Sequence, residues 1–367
     1  MVMAASNASA QSSDAQDTVF PSSIVWSIEI PAAPIGPPVI AGRRVVVATQ
    51  SGQVLARHAD DGEEVWTAQL TVVNDLTAAD DLLIVPIEGA IDVLELTTGR
   101  RRWSAETGLL TAAPLFKGGW LILAAGEELT ALSAADGDLI WTKKIALIEH
   151  RPAIEGDLLY VPIADGRVVA LDLESGSQLW ERRVGSNPGE PFVYGDRVYV
   201  GASGRTLVCL NAANGIEEWV SVIGAAVRGR VDADASRIYV ASMDNLLRAL
   251  RRSHGAQEWR LDLGYRPSSG PIVFGSSVAV PGRSAVISAF HTSKHTVVAE
   301  LKLPDPAAVP PGVARPPTPP ALAIVSGDPG KPWVLSLTGA PPPSVPAVSA
   351  PTVLPGEVLP AMKLPAQ

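Results

Sequence analysis

Apolar runs return along this chain at a near-constant interval, each followed by a polar break and a hairpin that ends on a tryptophan. The clearest copy is Val168 to Trp180, which reads Val-Val-Ala-Leu-Asp-Leu-Glu-Ser-Gly-Ser-Gln-Leu-Trp. Its apolar stretch predicts a strand, and Gly176 predicts a tight turn, because glycine takes positive φ without steric cost. In five further copies a tryptophan stands four residues after a glycine: Gly62 and Trp66, Gly99 and Trp103, Gly137 and Trp141, Gly215 and Trp219, Gly255 and Trp259. Trp26 precedes them, and the spacings from Trp26 to Trp259 are 40, 37, 38, 39, 39 and 40 residues.

Each hairpin is preceded by two more apolar runs. One is rich in β-branched and aromatic residues, as in Leu158-Leu159-Tyr160-Val161 and Arg197-Val198-Tyr199-Val200, which is the signature of a strand buried on both faces. The other is short and often opened by proline, as in Pro152-Ala153-Ile154 and Pro191-Phe192-Val193. Four strands per unit, without helical spacing or caps, predict an all-β chain. A period of about 40 residues in four-stranded antiparallel units predicts the blades of a β-propeller. Six complete units run from about 36 to 263, and a seventh, about 267 to 303, has His295 at the glycine position and Ala299 at the tryptophan position. Strands over Ala321 to Val325 and Trp333 to Leu337 then lack a fourth, while Ile24 to Ile28 is a fourth strand without a blade. Joining them removes two exposed edges, so the expectation is eight blades, the last closed by the N-terminal strand.

The phase of the motif resembles the quinoprotein, or PQQ-like, propeller repeat. In that family an Ala-Leu-Asp stretch is followed by a turn glycine and a tryptophan four residues on, matched here by Ala170-Leu171-Asp172, Gly176 and Trp180. The resemblance covers about Ile24 to Gly339 and is similar to that of the outer-membrane assembly factor BamB family. It implies docking roles for Trp26, Trp66, Trp103, Trp141, Trp180, Trp219 and Trp259. Periodic aromatics of this kind read as wedges between blades rather than as stacking platforms.

Composition sharpens this picture in a few places. With 367 residues, 47% of them hydrophobic, the chain can bury a large core, and residues 24–340 are read as one propeller. Residues 1–23 are read as a disordered leader, 304–319 as a Pro-rich loop inside the last blade, and 341–367 as a Pro-rich disordered tail. A net charge of −9 argues against nucleic acid as a partner. No apolar run is long enough to span a membrane as a helix. The first residues lack the basic and apolar regions of an export signal, although Ala8-Ser9-Ala10 resembles the end of a cleavage region, so the expected location is the periplasm or cell envelope. Cys209, the only cysteine, lies in an apolar run and reads as an inert buried thiol.

Catalytic patterns do not assemble. Gly327 to Lys331 has its glycines too close for a phosphate loop, and Asp232 to Ser236 lacks the later ligands of a calcium loop; both read as turns. The paired charges Arg100 to Arg102, Lys143-Lys144, Arg182-Arg183 and Arg251-Arg252 read as solvated outer-rim charges. The connections entering each blade's first strand face one end of the channel. They carry His150, Arg151, Asn187, Glu190, Arg228, Arg230 and Arg266, the candidate binding face for an anionic ligand or an acidic partner segment. The function expected is a non-catalytic, monomeric scaffold with a protein partner and no cofactor or metal. The alternative is a PQQ- and calcium-dependent alcohol or sugar dehydrogenase, whose adjacent-cysteine pair and acidic calcium ligands find no match in these residues.

Overall fold

The computed structural model describes residues 20–202, 205–314 and 320–339. Within them, 32 strands form eight four-stranded antiparallel sheets, each in simple up-and-down order, arranged as an eight-bladed β-propeller. Blade 4 shows how the sequence produces a blade. Its inner strand is Ala153–Glu155, followed by Leu158–Ile163, Arg167–Asp172 and the outer strand Gln178–Arg183. Side chains of the two central strands are buried on both faces because a neighbouring blade covers each face, which explains their continuous apolar runs. The outer strand is covered far less, and only Trp180 in it is buried.

Trp180 is aimed by a β-bulge. Ala170 pairs with Trp180 and Leu171 pairs with Gln178, so Leu179 is left over and turns out to solvent. The same register shift recurs in each of the first seven blades. Such a bulge re-aims the residue beside it, here toward the next blade. The ring of Trp180 then lies on the Gly215 turn, where an added Cβ would sit 2.5 Å from the ring. Its Nε1 donates to the Ala212 carbonyl at 3.0 Å. Six tryptophans, Trp26 through Trp219, cover the turn glycine of the following blade in this way, with the hypothetical Cβ 2.4 to 2.9 Å from the indole. Trp259 meets His295 instead, at 4.8 Å between ring centres, and His295 takes the glycine's conformation at φ 60°.

Closure uses both ends of the chain. The outer strand of blade 8, Ser23–Ile30, pairs along Trp333–Gly339, from Ser23 opposite Gly339 to Ile30 opposite Trp333. Trp26 continues the series by donating to the Ala59 carbonyl of blade 1 at 3.0 Å.

Three details depart from the sequence reading. Phe20 and Pro21 are buried before the first strand, and Phe20 packs edge-on against Phe274 at 6.0 Å, so order begins earlier than residue 24. Within the expected loop 304–319, Gly312–Ala314 forms the inner strand of blade 8, paired with Ala321–Ala323. An inner strand has one free edge and needs few residues, so prolines around it are tolerated. Finally, not all the outer charges are merely solvated. Lys143 Nζ and Arg182 Nε reach the carbonyls of Gly176 and Gly215 in the next blade at 2.9 and 2.8 Å. The expected leader over residues 1–19 and the tail over 341–367 lie outside the described residues.

Removing the Trp180 ring should destabilise the protein by about 3–5 kcal/mol through lost transfer energy and the cavity left behind. Gly215→Ala should also destabilise, because the new methyl meets the ring of Trp180 at a turn with φ 68°. Urea midpoints of the two variants check both. Deleting residues 1–30 should strip blade 8 of its outer strand and give a lower Tm with self-association, read by light scattering; a monomer of unchanged Tm would contradict the closure.

Candidate binding face and channel

Residues that stand two places before each inner strand occupy one ring around the channel mouth. In blade order they are Pro37, Asp75, Ala113, Arg151, Glu190, Arg230, Gly270 and Pro310. Proline follows at six of these positions, Pro38, Pro114, Pro152, Pro191, Pro271 and Pro311. It fits because the inner strand pairs on one side only and the lost N–H costs no sheet hydrogen bond. The ring is therefore charged over blades 2, 4, 5 and 6 and uncharged elsewhere.

The four charges are close and incompletely paired. Arg230 Nη1 lies 3.6 Å from Glu190 Oε1, and the Arg230 guanidinium also sits 5.3 Å over the Phe192 ring. Arg151 reaches across blade 3 to Thr77, its Nη2 3.4 Å from the hydroxyl, while its Nε is closed off without a hydrogen-bond partner among the described residues. Burial pulls the Arg151 pKa down, partly offset by the Glu190 carboxylate. Burial likewise raises the Asp75 pKa, with Arg151 opposing. Arg151 and Glu190 line two cavities. One, of about 370 Å³, extends inward past Leu115, Pro152 and Phe192 to the Lys117–Glu155 ion pair at 2.7 Å. The other, of about 500 Å³, opens over Asn74, Asp75, Glu149 and His150.

Of the residues singled out from sequence, Arg151, Glu190 and Arg230 thus meet in the channel, and His150 stands half-buried beside them. Arg228, Arg266 and Asn187 lie further out on the exposed rim. Arg228 Nε donates to the Ser268 carbonyl at 3.1 Å and Arg266 Nη2 to the Met243 carbonyl at 3.3 Å, each bridging to another connection. The sequence reading missed Asp75, which occupies the same offset in blade 2 as Arg151 in blade 4. It also missed the exposed apolar residues Val73, Leu109 and Leu147 on the connections entering blades 2, 3 and 4. This face therefore presents an apolar arc over blades 2 to 4 and arginines over blades 6 and 7.

Groups with other potential chemistry are structural. Cys209 is buried, which pushes its thiol pKa up to about 12 and leaves it unreactive. Asp232 accepts the Val273 N–H of the next blade at 2.8 Å, and Asp234 accepts the Tyr239 hydroxyl at 2.6 Å. Among the described residues no three His, Cys, Asp or Glu side chains form a group that could hold a metal ion.

A family model described as "Outer membrane protein assembly factor BamB" matches residues 21–149, 80–257 and 165–306. A curated BamB of Alkalilimnicola ehrlichii is 26% identical over 190 residues, covering 36% of this chain and 50% of that protein. The chain thus spans about half the length of this curated relative. The solved BamB of Moraxella catarrhalis superposes with a TM-score of 0.72 at 21% identity, covering 86% of this chain and 97% of that one. A quinohemoprotein alcohol dehydrogenase of Pseudomonas putida superposes with a TM-score of 0.68 at 11% identity, covering 86% and 76%. At such identities the two superpositions show the shared fold alone.

The turn under Arg266 is held by an acid-sensitive clamp. Arg248, buried, donates from Nη2 to Asp244 at 2.5 Å and from Nη1 to Ser242, holding the Asp244 pKa near about 2. A carboxylate depressed in the folded state stabilises above its unfolded pKa of about 3.9, and that contribution fades as pH falls toward 2. Solvent screening limits it to about 1–2 kcal/mol. Urea midpoints measured from pH 5 to pH 2 should fall less steeply in Asp244→Asn than in the parent.

Proposed function

The chain belongs to the family of the outer membrane protein assembly factor BamB, and on that premise we propose that it is a non-catalytic scaffold of the cell envelope. Its partner is a protein component of the outer-membrane β-barrel assembly machinery, and docking uses the channel face described above. The observation that carries this reading is the family match over residues 21–306 of a propeller whose channel face carries exposed leucines and arginines. Loops on a rigid ring hold such side chains in place at little entropic cost on binding. Leu109 and Leu147 supply apolar contact, and the arginines select acidic groups.

Neither PQQ nor calcium has a part in this reading. The quinoprotein alternative draws on fold likeness at 11% identity.

Replacing Arg151, Arg228, Arg230 and Arg266 together by Ala should leave the far-UV spectrum unchanged. Capture of assembly-machinery subunits from the native envelope, identified by mass spectrometry, should weaken, most strongly at low salt where charge attraction is least screened. Leu109→Ser with Leu147→Ser should weaken capture at all salt concentrations. Undiminished capture by both variants would refute the docking face. Incubation with PQQ and calcium should give no dye reduction with alcohols or sugars, and turnover would overturn the non-catalytic reading.

A further inference from the structure

Arg151 is short of partners in a way the docking reading does not use. Among the described residues its Nε is buried with no hydrogen bond, its one side-chain hydrogen bond is the long 3.4 Å approach to Thr77, and no carboxylate comes within ion-pair distance of it. A buried guanidinium normally gathers acceptors around its fork, because desolvating it unpaired is costly. Here Arg151 lines the 370 Å³ cavity. That cavity has a second guanidinium at the same end, from Arg230, which lies over the Phe192 ring. Glu190 and the Lys117–Glu155 ion pair also line it, and between these charges stand the apolar side chains of Leu115, Pro152, Ala153 and Phe192.

We propose that the channel is a binding site for a monocarboxylate, its carboxylate on Arg151 beside Arg230 and a small apolar body against Leu115 and Phe192. Among the side chains that line the cavity, Lys117, Arg151 and Arg230 outnumber Glu155 and Glu190 by one charge, which a monoanion neutralises. Asp75 and Glu190 flank the two arginines, so a phosphate dianion would meet repulsion that a single delocalised charge largely avoids. The planar carboxylate matches the guanidinium fork in a way that a spherical halide does not. The apolar side chains of Leu115 and Phe192 favour an aromatic or short alkyl body over acetate. The acid enters from the face proposed to dock protein, so its source is either a free small acid or an acidic side chain of the partner. The inference shares Arg151 and Arg230 with the docking reading but does not depend on it.

Calorimetric titration of the full chain with sodium benzoate, sodium acetate and sodium chloride at matched ionic strength tests it. Benzoate should bind at one site and more tightly than acetate, with no comparable heat from chloride. Arg151→Met should weaken benzoate by about tenfold, the scale of one charge-assisted contact. Arg151→Lys, which keeps the charge and loses the fork, should fall between and serves if the methionine variant does not fold. Arg228→Ala with Arg266→Ala should leave benzoate binding unchanged while weakening partner capture, which separates this site from the docking face. Saturating benzoate that lowers partner capture identifies the partner's acidic side chain as the natural occupant; unchanged capture identifies a free acid. Equal benzoate affinity in the parent and both Arg151 variants, or benzoate no better than chloride, would overturn the proposal.

Discussion

The indole of one blade seated on the bare turn of the next is the contact on which this architecture depends. It accounts together for several features that look independent in the sequence. The turn residue is glycine because a Cβ there would lie inside the neighbouring ring as well as for its positive φ. The tryptophan stands four residues later because a bulge must discard one residue, such as Leu179, before the ring can face outward from its own sheet. The indole N–H then finds the carbonyl of the next turn, so burying the ring leaves no donor unpaired. Each such ring contributes on the order of 2–3 kcal/mol, and the bond is always between blades. The seam reinforces the point. Where blade 7 lacks the glycine, His295 adopts its backbone conformation and packs at a tilt against Trp259, and Trp26 resumes the series from the other end of the chain.

Repetition made most of this fold legible. Buried central strands must be apolar on both sides, and a 40-residue return of that pattern leaves few architectures. The partner of each tryptophan was not legible, because its glycine lies one blade ahead while a nearer glycine sits in its own hairpin. The inner strand Gly312–Ala314 was hidden for a related reason. Three residues with one paired edge make almost no demand on composition, so a Pro-rich stretch can contain one. Lys143 and Arg182 look solvated in a list of charges, yet their position two residues beyond the tryptophan carries them to the next turn.

The site was legible only in part. Arginine at three entering connections drew attention because cations are scarce in an acidic chain, and that signal found Arg151 and Arg230. It also gathered Arg228 and Arg266, which hold neighbouring rim segments rather than the channel. Asp75 carried no comparable signal, since carboxylates are common here. Only its offset from the inner strand, the same as that of Arg151, marks it as a member of the ring.

That ring contains its own control. Eight residues occupy one structural position, and in Pro37, Ala113, Gly270 and Pro310 the fold accepts uncharged side chains or none at all. The charges at Asp75, Arg151, Glu190 and Arg230 are therefore not required to close the channel. Nor do they form an efficient network, for Arg230 and Glu190 stand 3.6 Å apart and Arg151 keeps a buried nitrogen without a partner. Charges that are partly solvated and loosely paired contribute little stability. A ring built for stability alone would resemble its uncharged half throughout. The charged half is better understood as a surface whose missing partner arrives from outside, at the end of the propeller whose connections also carry exposed leucines over blades 3 and 4 and arginines over blades 6 and 7.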